Sequence, residues 1–121
     1  MSQQLLDSGV YTPTLTNTTN VAASTPTECM WFRIGNLVHV AGRYDVDPTA
    51  AAPTSTVLGI SLPLPSNFGS ANDCAGVAAS GDTTESGVIR ANTTSDVAEV
   101  SFMAVNAANH GMRFEFTYRM I

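Results

Sequence analysis

Residues 29–46 have the sequence CMWFRIGNLVHVAGRYDV, and this stretch decides the fold. Apolar and polar side chains alternate on both sides of Gly35-Asn36, and such alternation is typical of strands. Gly adopts positive φ at no steric cost, and Asn tolerates it better than most residues, so the pair suits a two-residue hairpin loop. The sequence therefore predicts a β-hairpin at this position.

The alternation also predicts which side chains of the hairpin face the core. In the first strand it separates Trp31 from Met30, Phe32 and Ile34, and we expect the indole to face outward. A lone outward Trp is typical of an interface; the alternative is an ordinary packing residue. In the return strand, the predicted core residues are Val38, Val40, Gly42, Tyr44 and Val46.

The C-terminal residues 111–121 show the strongest alternation of the chain. Five large side chains share one side, and such a strand is normally central because these groups need cover along its whole length. Residues 98–105 are its expected antiparallel partner, through a turn over 106–110. The large residues on that one side are Met112, Phe114, Phe116, Tyr118 and Met120.

Short runs of β-branched and aromatic residues recur along the chain, and no window keeps apolar residues at helical spacing. The predicted fold is all-β, a single antiparallel β-sandwich or jelly roll of about eight strands, with a barrel as the alternative closure. We expect an N-terminal arm over 1–8 and one domain over 9–121. The weaker predicted strands are 10–16, 55–62, 75–79 and 87–92.

The charge of the chain disfavours two classes of partner. Lys is absent, five Arg are the only basic residues apart from His, and the formal net charge is −5. Nucleic-acid affinity arises mainly from clustered Lys and Arg that release counterions, and anionic membranes attract the same clusters. We therefore expect neither nucleic acid nor a membrane surface as a partner.

The N-terminus has no basic stretch followed by an apolar run, and no segment is apolar over the length of a membrane span. This predicts synthesis in a cytoplasm without export through a signal peptide. Cys29 and Cys74 lie far apart and lack CxxC spacing, so in a reducing compartment we interpret them as buried thiols. A single disulfide between them is the alternative.

Paired acids are the strongest hint of catalysis in the sequence. Asp45 and Asp47 share one strand face about 7 Å apart, within the loose range for a pair of glycosidase carboxylates. The interpretation we favour is that Asp47 begins a turn at Pro48 while Asp45 is solvated. We therefore assign no catalytic residue.

Metal and nucleophile motifs give no stronger signal. His39 is predicted on the side opposite the core and His110 in a surface turn, and neither has ligand-type neighbours at metal-binding spacing. No nucleophile elbow and no phosphate-binding glycine loop occurs in the sequence. We expect a protein that is not an enzyme and that holds neither a cofactor nor a metal.

Several strings of the sequence resemble a known class of proteins. The chain is similar to short bacteriophage structural proteins and to the C-terminal parts of phage tail fibres, and this resemblance implies a small β-sandwich that often assembles as an oligomer. The shared motifs are mostly fold signals and cover residues 9–68 best. The strings are GVYTPTLTNTTNV (9–21), ECMWFRIGNLVHVAG (28–42), DVDPTA (45–50), LGISLPLPSNF (58–68) and the closing FEFTYRMI.

The resemblance leads to a functional hypothesis with one alternative. Because the chain starts at its own Met1 without a fibre shaft, we expect a capsid decoration, cement or head-fibre subunit. It would be made in the bacterial cytoplasm, sit on the virion surface, form a dimer or trimer, and contact the major capsid protein. The alternative is a tail-fibre or spike tip that binds a host-surface glycan through the loops 47–55, 63–74 and 106–111.

Five side chains are the expected interface residues. Trp31 is chosen for its outward position, and His39 for a contact that protonation could modulate. The Leu residues of the N-terminal arm are either solvated or docked on a neighbouring subunit. The complete set is Leu5, Leu6, Tyr11, Trp31 and His39.

Overall fold

A computed structural model describes residues 6–50, 54–81 and 85–121. These residues contain strands and one short 3-10 helix, Ala71–Asp73, but no α-helix. The all-β prediction is therefore confirmed. The strands are β1 (Leu6–Tyr11), β2 (Leu15–Thr19), β3 (Val21–Pro26), β4 (Cys29–Ile34), β5 (Leu37–Pro48), β6 (Thr54–Ile60), β7 (Cys74–Ser80), β8 (Ser86–Asn92), β9 (Val97–Ala104) and β10 (His110–Arg119).

The strands form one antiparallel sheet in the order β1-β4-β5-β10-β7-β8-β9-β6-β2. Strand β5 has two neighbours along one side, because β4 pairs with residues 37–41 and β3 pairs with residues 44–48. Strand β3 also lies beside β2, at the other end of the strand order. The sheet therefore curls and encloses one core.

Strands β5 and β10 build the centre of this core. They pair along ten residues, from Leu37 opposite Arg119 to Val46 opposite His110. Strand β10 has β7 on its other side, so the prediction that it is a central strand is confirmed. The inward side chains of the two strands are at most 5% exposed, namely Val38, Val40, Tyr44, Val46, Met112, Phe114, Phe116 and Tyr118.

The prediction for β4 is wrong in its choice of inner face. Gly35 has a φ of 60°, as a tight hairpin loop favours, and the loop places Ile34 opposite Leu37 and Trp31 opposite Val40. Residues directly opposite one another in an antiparallel pair lie on the same face of the sheet. Since Val40 is buried, Trp31 faces inward, where it packs partly buried against the core.

The expected pairing of residues 98–105 with the C-terminal strand is also wrong. Strand β9 lies between β8 and β6, while β10 lies between β5 and β7. The physical reason is the cover that β10 needs: β5 pairs with it along ten residues, and the eight-residue β9 is too short to do so.

The N-terminal region differs from its prediction in its strand boundaries. The expected strand over 10–16 is two strands, β1 and β2, separated by residues 12–14, where Pro13 supplies no ladder donor. Strand β3 has no counterpart among the predicted strands. Of the proposed arm over 1–8, residues 6–8 lie in β1 and pair with β4, and residues 1–5 lie outside the described residues.

Candidate interaction surface

The outer side of β1, β4 and β5 presents apolar side chains to solvent. The register of the three strands aligns them in rows, because Leu6 lies opposite Ile34, which lies opposite Leu37. A row centred on Phe32 and a row centred on Met30 follow in the same way. We call these positions the apolar outer face: Leu6, Ile34 and Leu37; Ser8, Phe32 and His39; Val10, Met30 and Ala41.

Six large apolar side chains of this face are strongly exposed. Phe32 is 46% exposed, and the others range from 55% for Ile34 to 65% for Leu6. Single exposed apolar residues are common on proteins, but a contiguous group of this kind marks an interaction site or an aggregation hazard. The apolar outer face is therefore the strongest candidate for a functional surface on the described part of the chain.

The middle row of the face is held in place by two contacts. The rings of Phe32 and His39 have their centroids 5.3 Å apart and are tilted by 38°. His39 Nδ1 lies 3.0 Å from Thr117 Oγ1 on the neighbouring strand β10. These contacts restrict the rotamers of both rings, which lowers the entropic cost of ordering them against a partner.

On the inner side of β4, two glycines of the neighbouring strands accommodate the side chains of Cys29 and Trp31, while the three apolar residues between and beyond them face outward. A Cβ at Gly9 would lie 3.1 Å from Trp31 Nε1, so the indole packs over the glycine of β1. In the same way, Cys29 covers Gly42 of β5, where a Cβ would overlap its Sγ. Two glycines thus make room for Cys29 and Trp31 between the sheet and the core.

The expected interface residues divide between the two sides of the sheet. Leu6 and His39 lie in the apolar outer face, whereas Trp31 and Tyr11 pack against the core. The Tyr11 hydroxyl donates to the Ser61 carbonyl at 2.9 Å, and burial raises the pKa of Tyr11, with further contributions from Cys29 and Tyr118. Leu5 lies outside the described residues.

Sequence reasoning missed most of the exposed side chains of this surface. Val10, Met30, Phe32, Ile34 and Leu37 were not among the expected contact residues. A signal for three of them was present, because the two-residue loop at Gly35-Asn36 fixes the register. Once Val38 and Val40 are assigned to the core, that register requires Met30, Phe32 and Ile34 to face outward.

A pair of polar side chains is buried at the start of β10. The prediction of a surface turn at His110 is wrong, since this side chain is 3% exposed and its Nδ1 lies 3.1 Å from Glu85 Oε1. The other carboxylate oxygen of Glu85 accepts a hydrogen bond from the Val105 backbone N–H at 2.6 Å. Because Glu85 contacts both His110 at the start of β10 and Val105 just after β9, it stabilises the connection between these two strands. This contact lies in the protein interior, where a ligand has no access.

The two acids considered for catalysis have structural partners. Asp45 forms an ion pair with Arg43 at 2.8 Å, and Asp47 accepts a hydrogen bond from the Asn109 side chain at 2.7 Å. The expected turn at Asp47 is wrong, because β5 continues to Pro48. These contacts account for both carboxylates without a substrate.

Other chemical groups of the described residues give no site. They contain no group of three or more His, Cys, Asp or Glu side chains that could hold a metal, and no helix long and apolar enough to cross a membrane. Cys29 and Cys74 are free and buried, which confirms their interpretation as buried thiols. Burial raises the pKa of Cys74 to about 12, so its thiol is a poor nucleophile at neutral pH.

Comparisons with known proteins give no relative from which a function could be transferred. Neither protein-family models, nor curated protein sequences, nor solved structures gave a match to this chain.

Proposed function

We propose that the chain is a non-enzymatic structural protein of a bacteriophage particle, a capsid decoration, cement or head-fibre subunit that assembles through its apolar outer face. The resemblance of residues 9–68 to phage structural proteins supports a location on the phage particle. In the same proposal, the curled sheet is a β-sandwich or jelly roll. The protein is made in the host cytoplasm and ends on the virion surface, against the major capsid protein.

The observation that carries the proposal is the contrast between the apolar outer face and the charge of the whole chain. None of the nine positions of the face holds a Lys, Arg, Asp or Glu, although the chain has a formal net charge of −5. The acidic charge keeps the free protein soluble, and the uncharged face permits contact without desolvation of ions. This combination suits a protein that joins an assembly by apolar burial.

The alternative, a spike tip that binds a host glycan, has weaker support. Sugar sites usually stack an aromatic ring against the sugar, and Phe68 is the only Phe, Tyr or Trp in the loops 47–55, 63–74 and 106–111. Phe68 is 6% exposed, so its ring has almost no free surface. We therefore keep glycan binding as the outcome that the experiment must separate from capsid binding.

The experiment mixes the purified chain with capsids assembled without it and, in parallel, with intact host cells, and measures the fraction that each retains on pelleting. We expect retention on capsids, saturating at a fixed ratio to the capsid protein. Capsids that already carry their full complement of the chain are the matched control and should retain almost none. Retention on cells but not on bare capsids would overturn the proposal in favour of the glycan alternative.

A further inference from the structure

We infer that the apolar outer face is covered by the same face of a second copy, so that the chain forms a dimer with two-fold symmetry. The inference rests on the proposed function, since it names the partner of the face through which the protein assembles. Two copies pack with β1, β4 and β5 of one against β1, β4 and β5 of the other, about 10 Å apart as packed sheets are.

The size of the face fits such a contact. Six side chains exposed at 46–65% give an apolar patch on the order of 600 Å², at the upper end of what monomeric proteins expose. A standard interface buries about 800 Å² on each partner, including a polar rim. The patch therefore supplies most of the apolar area that such an interface needs, and the polar rim would supply the remainder.

The arrangement of the rows is complementary to itself. A two-fold axis that crosses the strands at Phe32 places the row of Leu6, Ile34 and Leu37 on the partner's row of Val10, Met30 and Ala41. The middle row lies on itself, so Phe32 meets Phe32 at the axis, while the row that ends in Leu37 lies on the row that contains Ala41. Such an isologous contact closes after two copies and does not continue into a filament.

The rim of the face supports the same axis by its charges. On β10, Arg119 lies opposite Leu37 and Glu115 lies opposite Ala41, so the first and last rows end in opposite charges. Arg119 pairs through its Nε with Asp73 of its own copy at 2.8 Å, and the two-fold axis brings the same guanidinium to the side of Glu115 of the other copy. Because the chain is acidic overall, this pairing and a centre without Lys, Arg, Asp or Glu let two copies approach without carboxylates in contact.

The first test measures mass in solution by sedimentation velocity over a series of protein concentrations, without capsids. We expect the wild type at twice the 12.7 kDa of one chain. Phe32→Asp should weaken the dimer at least a hundredfold, because two carboxylates would meet in an apolar contact. Met103→Asp is the control: Met103 is 52% exposed on β9, three strands beyond β10, and its substitution should leave the dimer intact.

The second test excludes a folding defect as the cause of dissociation. Phe32→Asp and Phe32→Arg should each be monomeric alone, and a mixture of the two should form a heterodimer, because the Asp and the Arg then face each other at the axis. A misfolded variant would not form a heterodimer when the two variants are mixed. A mixture that stays monomeric would overturn the placement of Phe32 at the two-fold axis.

Two further outcomes separate this inference from the proposed function. A wild-type chain that is monomeric at all concentrations but saturates bare capsids would overturn the dimer, leave the proposed function standing, and make a capsid protein the partner of the face. A dimer that bare capsids do not retain would overturn the proposed function and leave the dimer standing. Equal dissociation by Met103→Asp and Phe32→Asp would also overturn the dimer.

Discussion

Strands β4 and β10 lie on either side of β5, and the side chains of both alternate between two faces. They differ in the kind of side chain that they expose to solvent. Strand β10 buries its aromatic side and exposes Arg113, Glu115 and Arg119. Strand β4 buries Cys29 and Trp31 in part or in full and exposes its other apolar side. Alternation thus defines two faces of a strand, while the neighbouring strand decides which of them is covered.

The difference has a consequence for function. The outer side of β10 is charged, so no further burial is needed once the core has formed. The outer side of β4 remains exposed and apolar after folding, so only contact with another molecule can bury it. Residues that a folded monomer does not use for its own stability are free to be used for assembly.

The largest expected effect comes from truncating one Phe on each strand. Phe116 on β10 is 1% exposed and Phe32 on β4 is 46% exposed. Phe116→Ala should lower the free energy of unfolding by about 3–5 kcal/mol, because it leaves a cavity in the core. Phe32→Ala should change it by less than about 1 kcal/mol, since solvent already fills the space.

Urea unfolding followed by the fluorescence of Trp31, the only Trp of the chain, measures both values. The protein concentration must be low enough for both variants to be monomeric, because association adds to the apparent stability. Equal losses for the two variants would show that Phe32 belongs to the core, and the contrast between the strands would fail.

A smaller effect is expected where β4 meets β5 on the inner side. Gly42→Ala places a Cβ into the Sγ of Cys29, and overpacking of this kind costs about 1–3 kcal/mol. The double variant with Cys29→Gly should recover part of that loss, which a double-mutant cycle of urea unfolding measures. Strictly additive losses would mean that Cys29 does not occupy the space above Gly42.

The same pair of strands shows how much the sequence could predict. The strand at β10 and its inner face were predictable because its two sides differ sharply: large apolar groups on one, and Arg, Glu and Thr on the other. The hairpin at Gly35-Asn36 was predictable from turn chemistry. In β4 the inner side carries Arg33 beside Trp31, whereas the outer side, with Phe32, is apolar throughout, so composition alone favours the wrong side as the core.

Pairing between distant strands was the part that local reasoning could not supply. Consecutive strands often pair, which favoured a hairpin of residues 98–105 with the C-terminal strand. The observed neighbours of β10 are β5 and β7, which end at Pro48 and Ser80, thirty or more positions before its first residue, His110. The buried contact of Glu85 with His110 depends on this topology and has no local signature in the sequence.

The smallest effect concerns the polar side of β10, where Arg119 leaves the strand end and pairs with Asp73 at 2.8 Å. The backbone N–H of Gly69 is the main group that holds the pKa of Asp73 below its ordinary value of 3.8; burial opposes it, and Arg119 and the Ser70 N–H add to it. A carboxyl group whose pKa is lowered on folding stabilises the folded state above its unfolded pKa, and this stabilisation is lost as pH falls through the folded pKa.

Asp73→Asn should therefore lower the free energy of unfolding at pH 7, and the difference from the wild type should shrink below about pH 4. Urea unfolding at a series of pH values measures this difference. Arg119→Gln keeps the backbone hydrogen bonds to Asp73, so it should reproduce only part of the loss. A deficit that does not depend on pH would show that the charge of Asp73 is unimportant. The outward polar groups of β10 would then contribute as little to the stability of the monomer as the outward apolar groups of β4.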